Sequence, residues 1–86
     1  MVNKAVKDNL FDKAVQITEE YLGPAGERFI RRQISTHLQI KPEALDAKNM
    51  PKLINWSTIA FALLTNSTED LESFTQDLKS LAPNSN

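Results

Sequence analysis

Apolar side chains recur every three or four residues along most of the chain, which matches the 3.6-residue turn of an α-helix. No segment alternates apolar and polar residues over several positions, so the sequence predicts no β-strand. The two glycines and four prolines fall at or near the ends of the periodic segments, where helices would begin or end. The pattern therefore predicts an all-α protein.

Between these breaks the sequence predicts a compact bundle of four main helices plus a short connector helix. Gly23 is predicted to end the first helix, and Pro24 to begin the second at its first position. The spacing from Ser67 to Asp70 resembles a capping box and predicts the start of the last helix. The main helices are predicted over residues 3–21, 24–38, 50–65 and from 67 up to Pro83, with the connector helix beginning at Pro42.

The length of 86 residues predicts one folded unit rather than two. A hydrophobic fraction of 41% with a net charge of −1 is typical of a globular protein and not of a disordered one. We therefore expect a single helical domain over residues 1–82, followed by a flexible C-terminal tail over 83–86.

The absence of cysteine excludes disulfides and fits a reducing compartment. The first residues contain no apolar stretch typical of a signal peptide. The uncharged stretch over residues 53–66 is shorter than the ~20 apolar residues that cross a bilayer. We expect a soluble cytoplasmic protein that does not associate with membranes.

Residues with catalytic or metal-binding chemistry are scarce. His37 is the only histidine, and Gln33 and Lys41 occupy the positions one turn before and after it, so no second ligand stands at helical spacing. A serine or cysteine nucleophile would need a base that the chain does not offer elsewhere. We expect no enzymatic activity, no cofactor and no metal, and we expect the His37 ring to pack on apolar neighbours at the edge of the core.

Positive charge is concentrated on the predicted second helix, in Arg28, Arg31 and Arg32, whereas the last helix is acidic. One interpretation is that these charges solvate the protein or partly face each other. The other is an arginine patch that binds an acidic partner or phosphate.

The predicted third helix is apolar around more than half of its circumference. Trp56, Ile59 and Leu63 lie along one edge of this apolar arc, and Ile54 and Phe61 lie along the other. Either all of these side chains enter the core, or one edge continues into an apolar groove or a dimer interface.

A helix-turn-helix is a further interpretation of residues 33–45. The second helix, beginning at Pro42, would be the one that reads DNA. It is short, and Glu43 and Asp46 near its start would repel phosphates. A net charge of −1 also offers little attraction to nucleic acid, which we therefore do not expect as the partner.

Several short runs within residues 5–81 resemble a small helical domain of unknown function that occurs in bacterial, notably cyanobacterial, signalling and regulatory proteins. These are Tyr21-Leu22-Gly23-Pro24-Ala25, Phe29-Ile30-Arg31-Arg32, Leu53-Ile54 and Phe74. The resemblance implies a bacterial regulatory or adaptor context and carries over no catalytic residue.

Together these features predict a non-catalytic protein-interaction module with an adaptor or regulatory role, which binds another protein or itself as a homodimer. The alternative is a small helix-turn-helix-like protein that binds nucleic acid. A ligand-binding bundle is a third class, and it would need an internal cavity. The residues predicted to contact a partner are Arg28, Arg31, Arg32, Trp56, Ile59 and Leu63.

Overall fold

The computed structural model describes residues 9–82 and confirms the all-α prediction. Of these residues 77% are helical and none lies in a β-strand. The α-helical segments are α1 (Leu10–Leu22), α2 (Gly26–Gln33), α3 (Met50–Ala62) and α4 (Thr68–Lys79).

The predicted count of four main helices is wrong, because α1 and α2 belong to one long bent helix. A 3₁₀ turn (Gly23–Ala25) joins them, and a π-helical turn (Ile34–Leu38) continues α2, so helical residues run without a gap from 10 to 38. Gly23 makes the bend with φ 66° and ψ −146°, while its N–H still donates to the Glu19 carbonyl. The described residues therefore contain three main helices: the long bent one, α3 and α4.

The predicted connector helix is also wrong, since the segment after Pro42 forms a single 3₁₀ turn (Pro42–Ala44). Leu45 then leaves helical geometry with φ −63° and ψ 127°, and its side chain enters the core with 7% of its surface exposed. The Asp46 carboxylate accepts the N–H groups of Lys48 and Asn49 and so closes the turn that precedes α3. Because Leu45 leaves helical geometry to enter the core, the predicted connector helix does not continue beyond this turn.

Side-chain caps set the starts of α1 and α4. Asn9 is extended, and its Oδ1 accepts the Asp12 N–H at 2.8 Å, so α1 begins at Leu10 rather than at residue 3. The rest of the predicted N-terminal extension (residues 3–8) and the predicted tail (residues 83–86) lie outside the described residues. Ser67 caps α4 as predicted, because its Oγ accepts the Asp70 N–H at 3.1 Å.

The core forms where α1 packs on α2 and α4, and α3 packs on α2 and α4. Phe74 is fully buried at its centre. Its ring centroid lies 4.5 Å from that of Phe61, 5.6 Å from that of Tyr21 and 6.3 Å from that of Phe29. The other fully buried apolar side chains are Ala14, Ile30, Ile34, Met50, Leu53 and Leu78. One aromatic ring therefore contacts rings from each of the other three α-helical segments.

The backbone of α2 approaches α1 closely at Gly26. A Cβ atom placed on Gly26 would lie 2.7 Å from Glu19 Cγ and 2.8 Å from the Glu19 backbone nitrogen. Real Cβ atoms do not come this close to neighbouring atoms, so only glycine fits here without a shift of one helix.

A hydrogen bond joins α1 to α4, the two α-helices furthest apart in sequence. The Tyr21 hydroxyl donates to Asp77 Oδ2 at 2.8 Å, while the Tyr21 ring packs edge-on against Phe61 and Phe74. Burial, together with the hydrogen bond to Asp77 and its negative charge, raises the pKa of Tyr21 from 10.0 to about 12.

The environment of Tyr21 predicts how its phenol titrates at alkaline pH. Tyr21 is the only tyrosine, so the near-ultraviolet absorbance of tyrosinate should show a single midpoint about two pH units above 10.0. Asp77→Asn should move that midpoint back towards 10.0. The fold favours the protonated phenol. The contribution of Tyr21 to the free energy of unfolding is therefore complete below pH 10 and is lost as the pH rises through about 12. A midpoint near 10.0 in the folded parent, confirmed by circular dichroism, would contradict the Tyr21–Asp77 contact.

Candidate functional site

Large apolar side chains are exposed at one place in the described residues, the C-terminal half of α3 and the turn that follows it. Ile59 is 47% exposed, Leu63 is 83% exposed and Leu64 is 62% exposed. α3 ends at Ala62, and the N–H groups of Leu63 and Leu64 bond to the carbonyls of Ala60 and Phe61 in a closing turn. This turn presents both leucines to solvent.

These side chains border two shallow grooves that lie side by side where α3 meets α2. The first groove runs between α3 and the π-helical turn, past Trp56 and Ile59. The second runs along α2, past Arg28 and Leu64. The two grooves share four lining residues, Arg32, Gln33, Ala60 and Leu63, and so form one continuous surface. We call this surface the α2–α3 face and define it by Arg28, Arg32, Trp56, Ile59, Leu63 and Leu64.

Five of the six residues predicted to contact a partner lie on the α2–α3 face: Arg28, Arg32, Trp56, Ile59 and Leu63. The sixth, Arg31, lies apart from it. The Arg31 Nε donates to Glu27 at 2.9 Å, and its guanidinium carbon lies 5.0 Å from the centroid of the Phe11 ring on α1. Arg31 therefore packs towards α1 and is engaged within the protein.

Trp56 is partly buried, lines the first groove and stacks on His37. The two ring centroids are 3.9 Å apart and the ring planes differ by 2°. The π-helical turn carries His37 to this position and ends at Leu38. The next residue, Gln39, adopts left-handed geometry (φ 56°) and donates its N–H to the Ile34 carbonyl at 2.8 Å. His37 thus packs on an apolar neighbour, as the sequence predicted.

The α2–α3 face carries positive charge without a balancing acid. No aspartate or glutamate lines either groove, whereas Arg28 and Arg32 stand one helical turn apart on the α2 side. The Arg31–Glu27 pair is the only ion pair between side chains of residues 9–82, so neither groove arginine is paired with a carboxylate there. The predicted alternative that these arginines face the acids of the last helix is therefore not seen in this part of the chain.

Leu64 and Phe29 line the second groove but were not among the residues predicted to contact a partner. Leu64 was predicted to lie within the third helix, but α3 ends two residues before it. Leu64 therefore lies in the closing turn and not on the helix. Phe29 packs on Phe74 in the core and also lines the second groove. No local sequence signal distinguishes either role.

The segment that would read DNA in the alternative helix-turn-helix interpretation does not form a recognition helix. The segment from Pro42 is one 3₁₀ turn of three residues, which is too short to lie along a major groove as a recognition helix does. Among residues 9–82, no group of three or more histidine, aspartate or glutamate side chains is placed to hold a metal ion. In the same range, no helix has the length and apolarity needed to cross a membrane.

Comparison of the chain with models of known protein families, with curated proteins and with solved structures finds no match.

Proposed function

We propose that this protein is a non-catalytic interaction module that binds another protein, or a second copy of itself, through the α2–α3 face. One observation carries the proposal: all three of the most exposed large apolar side chains among residues 9–82 lie together on this face. Exposed apolar clusters with a polar rim are typical of protein–protein contact sites.

The composition of the α2–α3 face supports the same role. Tryptophan and arginine are enriched among the residues that contribute most to binding at protein interfaces, and the face contains the only tryptophan and two arginines. Trp56 is held in place by His37 before any partner arrives, which lowers the entropy lost on binding. An apolar centre with charged residues beside it also matches the usual layout of an interface core and rim.

We further propose a regulatory or adaptor role in bacteria and a cytoplasmic location. The resemblance of the Gly23-Pro24 junction and its flanking apolar runs to a bacterial regulatory domain supports the first. The absence of cysteine supports the second. Nucleic-acid binding has weaker support, because the recognition helix is missing and the α2–α3 face offers only two arginines to phosphates.

Placing a charge on the apolar part of the face should abolish association while leaving the fold intact. Ile59→Glu and Leu63→Glu should each remove binding, because a carboxylate would be buried in an apolar contact. Leu63 is 83% exposed, so Leu63→Glu should change the free energy of unfolding by less than about 0.5 kcal/mol. The matched control is Ala62→Glu, on the same exposed helix end but outside both grooves.

Two measurements test this prediction. Sedimentation equilibrium of the parent and the three variants reports self-association, and immobilised parent and variants report which cytoplasmic proteins are retained. We expect Ala62→Glu to behave as the parent, and Ile59→Glu and Leu63→Glu to lose the same dimer or the same retained protein. Equal retention by all four chains would rule out the α2–α3 face as the binding site. Salt-sensitive binding of a mixed-sequence DNA duplex would favour the nucleic-acid alternative.

A further inference from the structure

We infer that the partner of the α2–α3 face is an acidic amphipathic α-helix supplied by another protein. The inference rests on the proposed function and adds the chemistry of the partner to it. Three observations carry it: the spacing of the apolar side chains along α3, the unbalanced charge of the grooves, and the burial of the apolar side of the chain's own acidic helix.

The spacing of the apolar side chains along α3 suits a partner helix. Trp56, Ile59 and Leu63 follow one another at intervals of three and four residues on α3 and its closing turn, a span of about 10 Å or two helical turns. A partner helix lying along this row would contact it with apolar residues at positions i, i+4 and i+7, the usual pattern for a helix in a groove. The described residues include no β-strand, so they offer no sheet edge to which an extended peptide could pair.

The charge of the grooves selects acidic residues beside those apolar positions. Arg28 and Arg32 are exposed on the α2 side, about 6 Å apart along the helix axis, and neither is paired with a described carboxylate. Arginine binds carboxylates through two parallel hydrogen bonds, so aspartate or glutamate one turn apart on the partner would match this pair. Lysine or arginine at the same positions would be repelled.

A second copy of this chain fits the face less well. In a two-fold symmetric dimer the same patch meets itself, so one interface would hold the Arg28 and Arg32 groups of both copies with no acid from either groove to balance them. The acidic helix of a second copy is α4, but its apolar residues Phe74 and Leu78 are fully buried in the core. Neither the symmetric contact nor the docking of α4 from a second copy offers an acidic helix with an exposed apolar stripe.

A displayed peptide library tests this inference with the full-length chain. The library fixes leucine at positions i, i+4 and i+7 of a sixteen-residue helix and allows glutamate, glutamine or lysine at the flanking positions, a length that covers about four turns. We expect the parent to enrich glutamate and the double variant Arg28→Glu/Arg32→Glu to enrich lysine. The best glutamate peptide should bind the double variant about tenfold more weakly than the parent, because two exposed ion pairs are replaced by two repulsions. Lys48→Glu, an exposed charge reversal outside both grooves, should leave its affinity unchanged.

The outcomes separate this inference from the proposed function. Enrichment of glutamine or lysine by the parent, with binding still lost in Leu63→Glu, would overturn the acidic helix and leave the face as the binding site. A dimer that Leu63→Glu dissociates, with no peptide enriched, would do the same and identify a second copy as the occupant. Peptide binding that survives Leu63→Glu would overturn both proposals. A monomer that enriches nothing would overturn the acidic helix alone, and the retention experiment would then decide the proposed function.

Discussion

Replacing Phe74 with alanine is expected to lower the free energy of unfolding by about 3–5 kcal/mol, the usual cost of removing a buried phenylalanine ring. Phe74 is fully buried and its ring packs against the rings of Tyr21, Phe29 and Phe61, so the substitution leaves a cavity at the meeting point of the four α-helical segments. Since proteins are stable by only about 5–15 kcal/mol in total, this is a large share of the free energy of unfolding.

Urea unfolding followed by circular dichroism measures this loss. Phe74→Leu keeps part of the buried volume and should cost less than Phe74→Ala. Leu63→Ala is the exposed control and should shift the free energy of unfolding by less than about 0.5 kcal/mol. If Phe74→Ala unfolds at nearly the same urea concentration as the parent, Phe74 does not lie at the centre of the core.

Replacing Gly26 with alanine is the second large effect, and we expect it to destabilise the protein by about 1–3 kcal/mol or more, as overpacking does. The added Cβ would lie 2.8 Å from the Glu19 backbone nitrogen and 3.0 Å from its Cα, and a helix backbone cannot move aside as a side-chain tip can. The long bent helix would have to open between α1 and α2.

A double variant identifies the cause. Glu19→Ala removes the Cγ atom at 2.7 Å but keeps the backbone atoms, so Gly26→Ala/Glu19→Ala should remain destabilised relative to Glu19→Ala alone. Full recovery of stability in the double variant would show that only the Glu19 side chain limits how closely α1 and α2 approach. Gly23→Ala is the contrasting case, because its Cβ would meet nothing within 4 Å and its cost would come from the φ of +66° alone.

Local chemistry predicted the start of α4 and the surroundings of some side chains. Ser67 caps α4 because a hydroxyl before a helix satisfies a free N–H in any tertiary context. His37 was expected to pack on apolar neighbours, and it stacks on Trp56. The candidate contacts were also mostly grouped correctly, because residues three and four apart on α3 share an edge wherever the helix packs.

Features that depend on tertiary packing were not predictable. A glycine followed by proline suggested a break between two helices, yet the turn at Gly23–Ala25 keeps the chain helical, because the two halves pack directly on each other at Gly26. The helix expected from Pro42 was lost because Leu45 enters the core. Arg31 differs from Arg28 and Arg32 only through Glu27 and Phe11, and its contact with Phe11 depends on how α1 and α2 pack.

The stacking of His37 on Trp56 places the intrinsic fluorophore of the protein on the α2–α3 face. Trp56 is the only tryptophan and His37 the only histidine, so the indole emission arises from a single ring with a single imidazole neighbour at 3.9 Å. A molecule that settles in the first groove must change the solvent or the contacts around that ring. Occupancy of the groove should therefore be visible as a change in intrinsic fluorescence, without a dye or a tag on either binding partner.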